Sequence, residues 1–231
     1  MLNVADLSLH EPGGRSIRNI RITAGTGAVT ALLGPTGSGK SQLLRAIVGI
    51  TRPVRGSIQV DGVEIADMTL RQIVRLGVAF VPQAGLVVAP LTVGENLELS
   101  AAARRGRIDR RRDEVFALFP KLVPLLGRRA GTLSRIETLM LAIGRAVMTR
   151  PSTIVLEQPS YGLPAAAMDD VYRAIAGLRA LDYTVLMADQ NVSLAFDLCD
   201  QAYVMREGRL VGSGTPDQLR DSDAVADAFL G

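Results

Sequence analysis

Eight residues constrain this chain more than any others: Gly34-Pro35-Thr36-Gly37-Ser38-Gly39-Lys40-Ser41. They fit the spacing G-x-x-x-x-G-K-[ST], follow an apolar run from Val29 to Leu33, and precede a helical pattern from Gln42 to Ile50. A strand, a glycine-rich turn and a helix in that order make a cradle for phosphate. The glycines let backbone N–H groups turn inward around phosphate oxygens, and the helix N-terminus adds the positive end of its dipole. Lys40 then reaches the outer phosphates of a nucleotide, and the Ser41 hydroxyl is a ligand for Mg²⁺. A plain glycine-rich turn is the alternative reading. Against it, Lys40 and Lys121 are the only lysines beside 24 arginines, so a lysine at this position stands out. The motif alone leaves a kinase, a GTPase and a transport ATPase open.

Short apolar runs alternate with amphipathic segments along the 231 residues, the pattern of an α/β fold. Strands are expected at Leu2–Leu9, Ile17–Thr23, Val29–Leu33, Ser57–Val60, Val78–Val81, Thr153–Glu157, Thr184–Ala188, Ala202–Arg206 and Arg209–Gly212. Helices are expected after Gly39, Thr69, Thr92, Arg110, Ser134, Ala165, Val192 and Pro216. Thr153–Leu156 and Val185–Met187 are nearly continuous apolar runs, as in strands buried on both faces of a parallel sheet. The first strands have no helices between them, so part of the sheet should be antiparallel. Strand signals vanish from about Gln83 to Thr149, which suggests a helical lobe, roughly 83–149, inserted in a single domain spanning 1–231.

Composition narrows the function further. Apolar residues make up 48% and charged residues 21%, enough for a packed core and incompatible with global disorder. No long apolar stretch escapes interruption; Leu76–Gly94 contains Pro82, Gln83 and Pro90. No signal-peptide pattern opens the chain, so a cytosolic globular protein is expected. One cysteine, Cys199, excludes an internal disulfide or a cysteine-cluster metal site, and one histidine, His10, excludes chemistry needing two imidazoles. A net charge of +3 does not by itself point to nucleic acid.

Later segments choose among the nucleotide-binding classes. Phe80-Val-Pro-Gln83, Leu133-Ser134, Ile154-Val-Leu-Glu157-Gln158-Pro159-Ser160 and Met187-Ala-Asp-Gln190-Asn191 follow the loop in an order that resembles an ABC-transporter nucleotide-binding subunit. Leu76-Gly-Val-Ala-Phe-Val-Pro, Leu91-Thr-Val-Gly-Glu-Asn-Leu, Leu118-Phe-Pro, Met140-Leu-Ala-Ile-Gly-Arg-Ala and the closing Ala228-Phe-Leu-Gly231 are similar to the smaller ATP-binding subunit of branched-chain amino acid importers. The resemblance implies a P-loop NTPase core of ABC type: a mixed, mostly parallel sheet with an antiparallel N-terminal β part, plus the inserted α-helical lobe. It implies ATP held by Gly34 to Ser41, with Ser41, Gln83 and Glu157 around Mg²⁺, and Gln190 at the position of the family's switch histidine. It also implies a head-to-tail pair, here a heterodimer with a second ATP-binding subunit, in which Ser134 reaches the partner's ATP. Such a pair drives transmembrane permease subunits, bound peripherally on the inner face of the cell membrane, with no nucleic-acid partner.

The chain departs from the pattern of a working ATPase at several positions. The acidic pair ending the apolar strand is normally Asp-Glu and here reads Glu157-Gln158. Gln158 stands where a carboxylate orients or deprotonates the attacking water, and an amide cannot take a proton; losing a general base typically costs about 10²–10⁴ in rate. The signature Leu-Ser-Gly-Gly reads Leu133-Ser134-Arg135-Ile136. Ile136 puts a branched side chain where glycine lets a helix N-terminus approach phosphate. Arg135 has two readings, a phosphate contact or an ordinary exposed helix-start arginine. The adenine-stacking aromatic aligns with Glu11, beside His10, and loss of such stacking is worth roughly 1–3 kcal/mol. Because the pair is head to tail, these changes should alter both of its sites.

The basic run Arg104-Arg105-Gly-Arg107 and Arg110-Arg111-Arg112 is expected to be a solvated helix face, since aromatics make up only 4% of the chain. Cys199 reads as a small packed residue, and Asp169-Asp170 as complements to a helix dipole. Two function classes remain: an importer subunit coupling ATP hydrolysis to transport, and a nucleotide-binding but poorly hydrolysing structural or regulatory subunit. A soluble P-loop kinase fails on the Gln83 and Asp189-Gln190 segments. A DNA-associated ABC ATPase fails for want of a long coiled-coil insertion.

Overall fold

The computed structural model describes residues 1–10, 16–102 and 108–230. β1 (Leu2–Leu9) and β2 (Ile17–Ala24) open the chain, followed by β3 (Val29–Leu33), α1 (Lys40–Ile47), β4 (Arg55–Val60), β5 (Val63–Glu64), α2 (Leu70–Leu76) and β6 (Val78–Val81). Next come α3 (Val93–Ala102), α4 (Ile108–Leu118) and α5 (Arg135–Met148), with 3-10 turns at Pro120–Leu125 and Ala130–Thr132. The rest is β7 (Thr153–Glu157), α6 (Ala165–Ala180), β8 (Thr184–Asp189), α7 (Val192–Phe196), β9 (Gln201–Arg206), β10 (Arg209–Gly214), α8 (Pro216–Arg220) and α9 (Asp223–Leu230).

Two sheets form. The first is antiparallel, in the order β2-β1-β4-β5. The second runs β10-β9-β3-β8-β7-β6 and is parallel except for the β9–β10 hairpin. The period-2 alternation of strands explains the apolar runs. Leu32, Val155, Leu186 and Ala188 point to one core, shared with α1 and the antiparallel sheet. Ala31, Leu33, Ile154, Leu156, Val185 and Met187 point to the other, shared with α3, α5 and α6. Strands apolar on both faces can sit only between two covering layers.

Parallel pairing of four neighbouring strands brings four chain segments to one edge. The carboxyl ends of β3, β8, β7 and β6 lead into the residues beginning at Gly34, Gln190, Gln158 and Pro82. In open α/β sheets a ligand crevice lies outside such strand ends. Between β6 and β7 the described residues hold helices only, and α3, α4 and α5 pack around Val93, Leu97, Val115, Leu122 and Leu141. Asn96, fully buried, pins the segment leading into this layer: its Oδ1 accepts from Val88 N at 2.8 Å, and its Nδ2 donates to the Thr92 carbonyl at 2.9 Å.

The structure differs from the sequence reading in three respects. α4 begins at Ile108, before Arg110. β5 and α9 carry no signal strong enough to have been expected. The basic run is not simply a solvated face: Arg111 is 2% exposed, and its Nη1 donates to the carbonyls of Met148 at 3.1 Å and Ala101 at 3.5 Å. The guanidinium thereby satisfies carbonyls at the C-terminal ends of α5 and α3, where helices leave acceptors unpaired. Arg110 is exposed, while Arg104, Arg105 and Arg107 lie outside the described residues. Cys199 is buried in the core, as expected.

Candidate nucleotide site

The phosphate loop leaves β3 at Leu33 and enters α1 at Lys40. Two of its glycines have no substitute. A Cβ at Gly34 would collide with the Met205 carbonyl oxygen, so the loop passes closer to β9 than any side chain allows. Gly39, the residue before α1, has φ +108°, and a Cβ there would lie 2.9 Å from Met205 Cε. The turn closes through Ser38 N to the Pro35 carbonyl at 3.2 Å and Gly208 N to the Ser38 carbonyl at 2.9 Å. Lys40, 3% exposed, folds its ammonium into the loop, donating to the carbonyls of Gly34 at 2.6 Å and Pro35 at 2.8 Å and to Ser38 Oγ at 3.2 Å. Burial pulls its pKa down from 10.5 to about 8, against the opposing influence of the Asp189 charge.

A cavity of about 640 Å³ opens over this loop. Thr36, Gly37, Gly39, Lys40, Ser41 and Gln42 form its floor, and Gln83, Gln158, Tyr161 and Gln190 form its walls. Its size falls in the usual range for small-molecule sites. The structure therefore joins Lys40 and Ser41 to Gln83, Gln158 and Gln190, which are far apart in sequence. Gly34, Pro35 and Ser38 shape the loop without lining the cavity. Glu157 is buried and meets the wall through its Oε2, which accepts from Gln83 N at 3.4 Å. Gln158 has φ +48°, and its N–H donates to the Ala188 carbonyl at 2.8 Å. Glu11 lies outside the described residues, and the exposed His10 has Nδ1 at 3.1 Å from Ser16 Oγ.

Asp189 organises the two loops that end β7 and β8. It is 1% exposed and accepts from Ser160 Oγ at 2.5 Å, Gln190 N at 2.6 Å, Tyr172 OH at 3.0 Å and the N–H groups of Ser160 and Asn191 at 3.2 Å. Burial, then the Asp189 charge, raises the Tyr172 pKa and keeps its hydroxyl a donor. Sequence reasoning missed this hub and also Tyr161, a bulky aromatic in a turn between Ser160 and Gly162. That placement was the available signal.

Ser134 stands apart from the cavity. It caps α5 in a reciprocal arrangement with Glu137: its hydroxyl accepts from Glu137 N, and Glu137 accepts from Ser134 N at 2.7 Å. Arg135 is exposed, as a helix-start arginine should be, yet engaged through two of its three guanidinium nitrogens. Its Nε donates to the Tyr161 carbonyl at 2.7 Å, its Nη2 to the Gln83 carbonyl at 3.4 Å, and its guanidinium lies 5.4 Å from the Tyr161 ring centroid.

The hydroxyl of Ser41, the amide of Gln83 and the carboxylate of Glu157 are all oxygen donors, which suits a hard cation such as Mg²⁺. Among the described residues no group of three or more His, Cys, Asp or Glu side chains could hold a metal by itself. The residues present thus fit an ion shared with substrate phosphates.

A parallel sheet with a lysine-bearing glycine loop at its carboxyl edge and a helical layer spliced between two strands defines a P-loop nucleotide-binding protein. The ABC transporter family matches residues 17–160, and the chain belongs to that family. It is 34% identical to the high-affinity branched-chain amino acid transport ATP-binding protein BraG of Pseudomonas aeruginosa, over all of both chains. It is 27% identical to the lipopolysaccharide export system ATP-binding protein LptB of Haemophilus influenzae, over all of this chain and 97% of that one. The fold matches the crystal structure of the ADP conformation of MJ1267, an ATP-binding cassette of an ABC transporter, with TM-score 0.87 at 23% identity, covering 100% of this chain and 98% of that one. The chain is an ATP-binding subunit of an ABC transporter. Such subunits dimerise and work with transmembrane permease subunits. Among the described residues no helix is long and apolar enough to cross a membrane.

Proposed function

We propose that this chain serves an importer of branched-chain amino acids or related small solutes, as one half of an ATP-binding heterodimer on the inner face of the membrane. The full-length likeness to a branched-chain amino acid transport protein supports the solute class. ATP lies over Gly34 to Ser41, and Ser41, Gln83 and Glu157 hold Mg²⁺. The ion supplies charge neutralisation at the outer phosphates.

One observation favours the poorly hydrolysing form of this subunit. Gln158 lines the cavity with Lys40, Ser41, Gln83 and Gln190, and no carboxylate lines it among the described residues. Of the two nearby carboxylates, Glu157 is occupied as the proposed Mg²⁺ ligand and Asp189 by the loops it anchors. Glu157 accepts from Gln83 N, and five donors converge on Asp189. An attacking water therefore has no base here, and own-site cleavage should fall by about 10²–10⁴ relative to a carboxylate at position 158. Arg135, exposed at the start of α5, alters the surface offered to the partner's nucleotide, so neither site of the pair is an ordinary one; Ile136 instead packs, partly buried, against the core.

A single-turnover assay with labelled Mg·ATP and protein in excess tests this, reading bound and cleaved fractions together. Binding without cleavage, with cleavage gained in Gln158→Glu and binding lost in Lys40→Ala, is the expected result. Rapid cleavage by the parent chain that Lys40→Ala removes would show a working ATPase and overturn the reading of Gln158.

A further inference from the structure

We infer that Arg135 is a positioning residue: it clasps, from the first turn of α5, the two loops that wall the nucleotide cavity. This rests on the nucleotide reading above. The clasp has three contacts, to the carbonyls of Tyr161 and Gln83 and to the face of the Tyr161 ring. Both bonded residues line the cavity, and they come from different strand ends, those of β7 and β6. A planar fork can reach two carbonyls while stacking on a ring; an ammonium on a flexible stem cannot. The chain is shaped to admit it. Gly162 has φ +69°, and a Cβ there would come within 3.1 Å of Arg135 Nε. From the other end of α5, Arg145 donates to the Leu86 carbonyl and to Ser100 Oγ at 3.0 Å, so the segment after Gln83 is tied to the same helix twice. The position of α5 and the placement of Gln83 and Tyr161 over the phosphate loop are therefore one variable.

The loops report on the clasp through their own amides. Gly85 N donates to the Pro82 carbonyl at 2.8 Å, and Tyr161 N and Leu163 N donate to the carbonyls of Gln158 and Ser160 at 3.1 Å. Hydrogen exchange at these three amides is measured in the full nucleotide-free chain, and ATP affinity is measured with and without Mg²⁺, for the parent, Arg135→Ala, Arg135→Lys and Tyr161→Leu. Arg135→Ala should speed exchange at the three sites about tenfold, leave β3 and β8 unchanged, and shrink the gain in ATP affinity that Mg²⁺ gives. Arg135→Lys should fall between it and the parent, and Tyr161→Leu should release the 159–163 loop more than the 83–86 loop. Unchanged exchange at the three amides in Arg135→Ala would overturn the clasp. So would an equal rise in β3 and β8, the mark of general destabilisation. A parent chain that binds no ATP would refute the nucleotide reading instead, while the exchange data still decide the clasp.

Discussion

Removing the charge of Lys40 should change how the protein's stability depends on pH while destroying its nucleotide site. The ammonium is 3% exposed, and burial holds its pKa at about 8 instead of 10.5. That depression corresponds to about 3 kcal/mol working against the charged form in the folded state. Lys40→Met keeps the stem and deletes the charge. It also deletes bonds to Gly34 O, Pro35 O and Ser38 Oγ, together worth about 3 kcal/mol at about 1 kcal/mol each, so the two effects nearly cancel at pH 7. The sign with pH is fixed. A lysine whose folded pKa is depressed imposes its full penalty below pH 8, and the penalty fades as pH rises from about 8 to 10.5 because the unfolded chain then holds more protons than the folded one. Relative to the parent, Lys40→Met should therefore lose about 3 kcal/mol across that window, from near parity at pH 7 to clearly lower stability at pH 10.5 and above. Urea unfolding of parent and variant at several pH values between 7 and 10.5, with ATP titrations alongside, measures both effects. A difference between variant and parent that stays flat from pH 7 to 10.5 would refute the argument that the loop stores an electrostatic cost at Lys40.

Other outcomes follow from single contacts. Asp189→Asn converts an acceptor of five donors into a side chain with two donors of its own, and should cost about 2–4 kcal/mol in urea unfolding and weaken ATP binding through Ser160 and Gln190. Gly34→Ala drives a Cβ against the Met205 carbonyl and should cost about 1–3 kcal/mol in thermal unfolding, with loss of nucleotide binding in titration calorimetry. Cys199 is buried, and burial pushes its thiol up to about 11, so iodoacetamide at pH 8 should label the native chain far more slowly than the urea-unfolded one.

The sheet was legible because its physics is local. A strand covered on both faces is apolar along its middle, and Ile154–Leu156 within β7 and Val185–Ala188 within β8 advertise that without help from distant residues. The glycine loop was legible for the same reason, since close approach and a left-handed turn each demand glycine where they occur. What escaped depends on partners far along the chain. β5 is two exposed residues, held because Glu64 accepts from Ile58 N at 2.9 Å. α9 is a short helix of Ala, Asp and three larger apolar residues, and it settles because Ala228 is buried and Val225 and Phe229 pack against the core. Arg111 belongs to a charge run that reads as solvated, until α3 and α5 present their carbonyl ends to it.

The departures at 135 and 158 stood in the sequence as separate faults in separate motifs, and the folded chain removes that separation. Gln158 and Tyr161 share one turn and one cavity wall, and Arg135 holds the carbonyl of the second while Asp189 holds the backbone between them through Ser160 N. A base restored at position 158 would thus enter a wall whose position α5 still governs. Chemistry and lobe position act on the same few atoms, so substitutions at 135 and 158 belong to one coupled network, where additivity fails. On the proposed reading, a subunit without a base at position 158 would still sense nucleotide, because the residues beside the phosphate loop and those bonded to the helical layer meet at the same wall.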